Sequence, residues 1–79
     1  MNTKMLISKM KLFGDNQKDL ANALNLSLAT TNAAINGKRE FTQNEISIIA
    51  ARYELTPEEI ILIFFNESVH QEGTVSRET

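Results

Sequence analysis

Gln17-Lys18-Asp19-Leu20-Ala21-Asn22-Ala23-Leu24-Asn25-Leu26-Ser27-Leu28-Ala29-Thr30-Thr31-Asn32-Ala33-Ala34-Ile35-Asn36-Gly37-Lys38-Arg39 is the stretch that decides the fold. Leu20, Ala21 and Leu24 fall on one narrow face of a helix over Gln17 to Leu24, with Asn16 as its N-cap. Asn25 follows, and asparagine tolerates the left-handed conformation found just past helix ends. Ser27 is a good N-cap for a further helix over Leu28 to Ile35, which Asn36-Gly37 stops. The expected unit is therefore helix, three-residue turn, helix over about residues 16–37.

On its N-terminal side, Met5, Leu6, Met10 and Phe13 recur at helical spacing and predict a first helix from about Thr3 to Leu12, ended by Gly14. On its C-terminal side, Phe41-Thr42-Gln43-Asn44-Glu45-Ile46 and Leu55-Thr56-Pro57-Glu58-Glu59-Ile60 share one pattern. Each reads as a capping box with a hydrophobic staple: Thr at N-cap, Glu at N3, and an apolar residue on either side. Pro57 at the first helical position strengthens the second. Helix four then runs from about Gln43 to Tyr53, burying Ile46, Ile49, Ala50 and Tyr53, and helix five from Pro57 to about Phe65. From Glu67 onward periodicity and apolar content fall away, so residues 67–79 are expected to be a mobile tail after a domain spanning residues 1–66.

Charge divides the 79 residues unequally, although the net charge is only −2. Residues 1–39 carry six bases (Lys4, Lys9, Lys11, Lys18, Lys38, Arg39) against two acids (Asp15, Asp19), a net +4. Residues 40–79 carry two bases against eight acids, a net −6. A polyanion should approach the N-terminal half. Scattered lysines ordinarily form a solvated face, but Lys38-Arg39 directly after a helix end suits phosphate contact.

Other chemistry has little to work with. The chain has no cysteine and a single histidine, His70, so neither thiol chemistry nor a metal site is expected, and no cofactor. No nucleophile–base pair or Gly-rich phosphate loop can be named, so an enzyme is not expected. The longest apolar run, Ile60 to Phe65, is far too short to span a bilayer, and no charged-then-apolar leader opens the chain. A cytoplasmic protein without membrane contact is the expectation.

The run from Gln17 to Ser27, with Thr30-Thr31 and Ile35-Asn36-Gly37-Lys38, resembles the XRE family of phage Cro and lambda-type repressors over roughly residues 4–65. The resemblance implies an all-α, five-helix lambda-repressor-like DNA-binding domain with a helix-turn-helix. It places Ala21 where two helices cross closely and Leu20, Leu24, Leu26 and Ile35 in apolar positions. Two residues depart from the family pattern: Asn25 replaces the usual turn Gly, and Thr31 stands where an aliphatic is usual. If buried, the Thr31 hydroxyl needs a partner, most simply a carbonyl one turn earlier.

The same resemblance implies that Gln17 lies near a phosphate. Leu28, Ala29, Asn32 and Ala33 would face the major groove, with Thr30 at its edge and the Ser27 cap beside them. Asn36, Lys38 and Arg39 would meet the backbone of a double-stranded operator. Asn32 can pair with adenine, and Ala29, Ala33 or Leu28 can touch thymine methyls, which leans the site toward A·T. No base lies on the 28–35 helix, so the common bidentate contact to guanine is missing.

Ile60-Ile61-Leu62-Ile63-Phe64-Phe65 is apolar on every side of a helix, and a small domain covers one side. Ile60, Ile61 and Phe64 are assigned to the core, leaving Leu62, Ile63 and Phe65 for a two-fold interface. A homodimer would set two recognition helices roughly 34 Å apart on a near-palindromic operator. The function implied is a transcriptional regulator of phage or prophage type. Its rival is a protein-interaction regulator, antirepressor- or antitoxin-like, that binds another phage regulator through the acidic, apolar C-terminal half; an inert structural subunit is a third reading.

Overall fold

A computed structural model of the chain describes residues 1–65. Among them are five α-helices and no strand: α1 (Thr3–Leu12), α2 (Gln17–Leu24), α3 (Leu28–Ile35), α4 (Gln43–Arg52) and α5 (Pro57–Ile60), the last continued by a π-helical segment, Ile61–Phe65. None of these helices is long and apolar enough to cross a membrane. The expected tail, 67–79, and His70 lie outside the described residues.

The helix starts follow one local rule. Asn2, Asn16, Ser27, Thr42 and Thr56 each accept, through the side chain, the backbone N–H of the third helical residue. Thr42/Glu45 and Thr56/Glu59 form the expected capping boxes, and Asn16/Asp19 forms a third. The helix ends follow another. Gly14, Asn25, Gly37 and Glu54 all adopt positive φ (77, 58, 80 and 52°). At each, the next residue's N–H reaches back around the turn: Asp15 to Met10, Leu26 to Ala21, Lys38 to Ala33, Leu55 to Ala50, at 2.8 to 3.0 Å. These are Schellman closures, in which a left-handed residue satisfies carbonyls that the helix leaves open. Glycine or asparagine serves at three of them; Glu54 carries a side chain into a conformation that disfavours one.

The core gathers Leu6 and Met10 of α1, Leu20 and Leu24 of α2, Ala34 and Ile35 of α3, Phe41, Ile49, Tyr53 and Ile63. Ala21 is also buried, on α2, which packs with α3. Thr31 is fully buried, and its hydroxyl donates to the Ser27 carbonyl at 3.0 Å, the partner one turn earlier that a buried threonine requires. Ile46 and Ala50 are only half-buried. Phe13 is 41% exposed, its ring tilted on Tyr53 at a centroid distance of 5.5 Å.

Helix five departs from expectation. The α-geometry ends at Ile60, and the wider π turns that follow advance each side chain by a smaller angle, which changes the face each presents. Ile63, assigned to a dimer interface, is fully buried, while Ile61, assigned to the core, is 55% exposed. The Asn2 N–H donates to the Ile63 carbonyl at 2.7 Å, so the start of the chain docks on this turn, and the Ile63 side chain belongs to the core. Ile60 and Phe64 are half-buried, and Phe64 meets Phe41 edge-on at 5.8 Å.

Two tertiary ties fix the helices relative to one another. Asp15, between α1 and α2, accepts from Arg52 Nε (2.5 Å), Arg52 Nη2 (3.0 Å) and the Tyr53 hydroxyl (2.7 Å) at the end of α4. The Arg52 guanidinium holds the Asp15 carboxyl below the usual carboxylate range, and burial pushes the Tyr53 hydroxyl up. Lys9 of α1 pairs with Glu59 of α5 at 2.6 Å, which lowers the Glu59 carboxyl.

Candidate nucleic-acid interface

α3 divides into two faces. Thr31, Ala34 and Ile35 are buried at i, i+3 and i+4, against α2 and the core. The remaining stripe is Leu28 (47% exposed), Ala29, Asn32, Ala33 and Asn36, of which Leu28, Ala29 and Asn36 are exposed and Asn32 and Ala33 half-exposed. Helical spacing therefore sets together the residues expected to face a groove. Thr30 is half-buried and accepts the Ser27 hydroxyl proton at 2.8 Å, so its own oxygen is engaged in the cap.

The start of α3 differs from its neighbours. α2, α4 and α5 each carry an acid in the first turn, whereas α1 and α3 carry none, and the Ser27 cap of α3 is exposed. Backbone N–H groups at such an end, with the helix dipole behind them, favour an approaching anion. Gln17, the first residue of α2, is half-buried.

Asn32 has an unusual side chain. Its Oδ1 is buried and finds no hydrogen-bond donor among the described residues. An unpaired buried carbonyl oxygen costs free energy, on the order of 1–3 kcal/mol. Turning the amide outward would break no hydrogen bond to that oxygen.

Beyond the Schellman closure of α3, Lys38 is exposed and has no ion pair among the described residues. Arg39 is different from expectation. Its Nη1 and Nη2 donate to Glu45 Oε1 and Oε2 at 2.9 and 3.0 Å, and Glu45 Oε1 also accepts the Thr42 N–H at 2.9 Å. Glu45 is only 8% exposed. The arginine lowers the Glu45 carboxyl and is itself raised. Arg39 is therefore committed to a carboxylate rather than extended toward solvent. The sequence marks Glu45 as a capping residue, and no local spacing rule pairs residues six apart across a loop. Among the scattered lysines, Lys4, Lys11 and Lys18 are exposed, and Lys9 is held by Glu59.

Leu62 (44%) and Phe65 (48%) are exposed as expected of interface residues, joined by Ile61 in place of Ile63. Beside them lies an open groove of about 710 Å³ lined by Phe41, Ile46, Ala50, Ile60 and Phe65, with Gln43 and Ser47 at its polar edge. Among the described residues, no cluster of three or more His, Cys, Asp or Glu side chains could hold a metal ion. Comparison with family models, curated proteins and solved structures gave no match for this chain.

Proposed function

We propose that the chain is a sequence-specific DNA-binding transcriptional regulator of the Cro- and repressor-like kind, lying with α3 in the major groove of operator DNA and occluding a promoter as a homodimer. The observation that carries this reading is the outward stripe of α3, Leu28, Ala29, Asn32, Ala33 and Asn36, on a helix whose exposed start holds no acid. Such an end accepts phosphate, and such a stripe offers methyl contacts to thymine and one amide for adenine. Asn32 reads adenine by rotating its amide outward. Lys38 supplies a phosphate contact, and Leu62, Phe65 and Ile61 supply the apolar surface for a second copy.

The test is titration of labelled random-sequence duplex with the protein and a Lys38→Ala variant across 50 to 200 mM salt. DNA binding predicts affinity that falls with salt, and a variant whose slope of log K against log salt is shallower by about 0.9, one phosphate contact. Absence of binding at low salt by folded protein would refute it.

A protein-interaction regulator is the second reading, favoured by the neutralisation of Arg39 and by the exposed Ile61, Leu62 and Phe65. It predicts that Leu62→Glu abolishes activity while Lys38→Ala does not.

A further inference from the structure

Lys38 and Arg39 are adjacent in sequence and opposite in circumstance. Lys38 is exposed and has no ion pair among the described residues, whereas the Arg39 guanidinium lies fork to fork on Glu45, two parallel hydrogen bonds of 2.9 and 3.0 Å. That geometry is the strongest a guanidinium makes with a carboxylate. Glu45 is held in place independently, by its bond from the Thr42 N–H and by its position at N3 of α4. Its side chain is 10% exposed, so withdrawing the arginine would leave a carboxylate largely cut off from water. The pair carries no net charge, and a neutral pair releases no counterion from DNA.

We propose that Glu45 restrains DNA binding by holding the Arg39 guanidinium off the phosphate backbone, so that the protein engages duplex with one phosphate contact fewer than its sequence offers. This rests on the DNA-binding reading above. Phosphate contacts supply sequence-independent affinity, while base edges supply discrimination. Withholding one phosphate contact lowers binding to random sequence and leaves the α3 stripe untouched. In a protein without an arginine or lysine on its reading helix, this raises the share of affinity that depends on sequence.

The experiment uses the full chain and random-sequence duplex between 50 and 200 mM salt, with Glu45→Gln, Glu40→Gln and the double variant Arg39→Gln/Glu45→Gln. Glutamine also serves at N3 of a capping box, so Glu45→Gln preserves the start of α4, and a thermal melt checks its fold. Glu40 is exposed, and its replacement makes the same change in net charge without freeing Arg39. Glu45→Gln should steepen the salt slope by about 0.9 beyond Glu40→Gln, roughly a threefold to fourfold change across that salt range. The double variant, whose residues replace a neutral pair by neutral side chains, should bind as the parent does.

Equal slopes for Glu45→Gln and Glu40→Gln would overturn the restraint while leaving DNA binding standing. So would a double variant with a shallower slope than the parent, because Arg39 would then already touch phosphate; this outcome overturns the restraint even if Glu45→Gln alone fails to fold. Failure of every variant and the parent to bind at low salt would remove the DNA reading and the restraint together.

Discussion

Asp15→Ala should destabilise the fold by about 2–3 kcal/mol, from two contributions. Tyr53 is 1% exposed, and its hydroxyl donates to Asp15 at 2.7 Å. Without that acceptor a buried hydroxyl is stranded, which costs about 1–3 kcal/mol. The Arg52 side chain is 38% exposed and rehydrates when the carboxylate is lost, so its share is about 0–1 kcal/mol despite two hydrogen bonds. For a domain of this size each kcal/mol moves the melting temperature by about 4–8 °C, giving an expected fall of roughly 10–20 °C by circular dichroism at pH 7. Tyr53→Phe removes the donor instead and should cost less, about 0.5–1.5 kcal/mol. In Asp15→Ala/Tyr53→Phe no hydroxyl is stranded, so the two costs should sum to more than the double variant shows. A fall under about 4 °C for Asp15→Ala, or strict additivity in the double variant, would refute the reasoning.

Ile35→Ala removes a fully buried side chain from α3 and should cost about 2–5 kcal/mol, measured by urea unfolding; a loss under 1 kcal/mol would mean that α3 does not pack as described. Glu54→Gly should raise the melting temperature by a few degrees, because the residue sits at φ 52° where a Cβ costs about 1–2 kcal/mol, only partly offset by the greater freedom of unfolded glycine. A lower melting temperature would show that the Glu54 side chain contributes more than its backbone costs. Asp15, Glu45 and Glu59 all have carboxyls lowered from their ordinary values of 3.8, 4.5 and 4.5, so the unfolded chain takes up protons first as pH falls. The stability they contribute is complete above those values and is lost as pH drops through the lower folded ones. Melting temperature should therefore be flat down to about pH 5.5 and decline below about 4.5, less steeply in Asp15→Ala/Glu45→Gln; a decline confined to pH 6–7 would contradict this.

The starts of α2 to α5 and the ends of α1 to α3 were legible because the groups that set them lie within a turn of each boundary. Asn16, Ser27, Thr42 and Thr56 each cap N–H groups three residues away, and Gly14, Asn25 and Gly37 each close a helix through φ. The two faces of α3 were equally legible, since a period of 3.6 residues separates Thr31, Ala34 and Ile35 from Leu28, Ala29 and Asn32. Even the Thr31 hydroxyl found its partner four residues back, where the helix itself provides one.

What lay beyond local reach was decided by tertiary structure. A run of six apolar residues contains no phase of its own, so which side of Ile60 to Phe65 turns inward depends on where the π segment begins and on the docking of Asn2 against Ile63. Asp15 is separated from Arg52 and Tyr53 by 37 and 38 residues, and only the packing of α4 against the α1–α2 junction makes it an acceptor. The same holds for charge. Sequence placed Arg39 among the bases of a positive half, but the fold brings it to Glu45, because α4 begins where the loop after α3 returns. Periodicity and caps fix where helices are and which faces they offer; the partners of charged side chains are fixed by which helices meet.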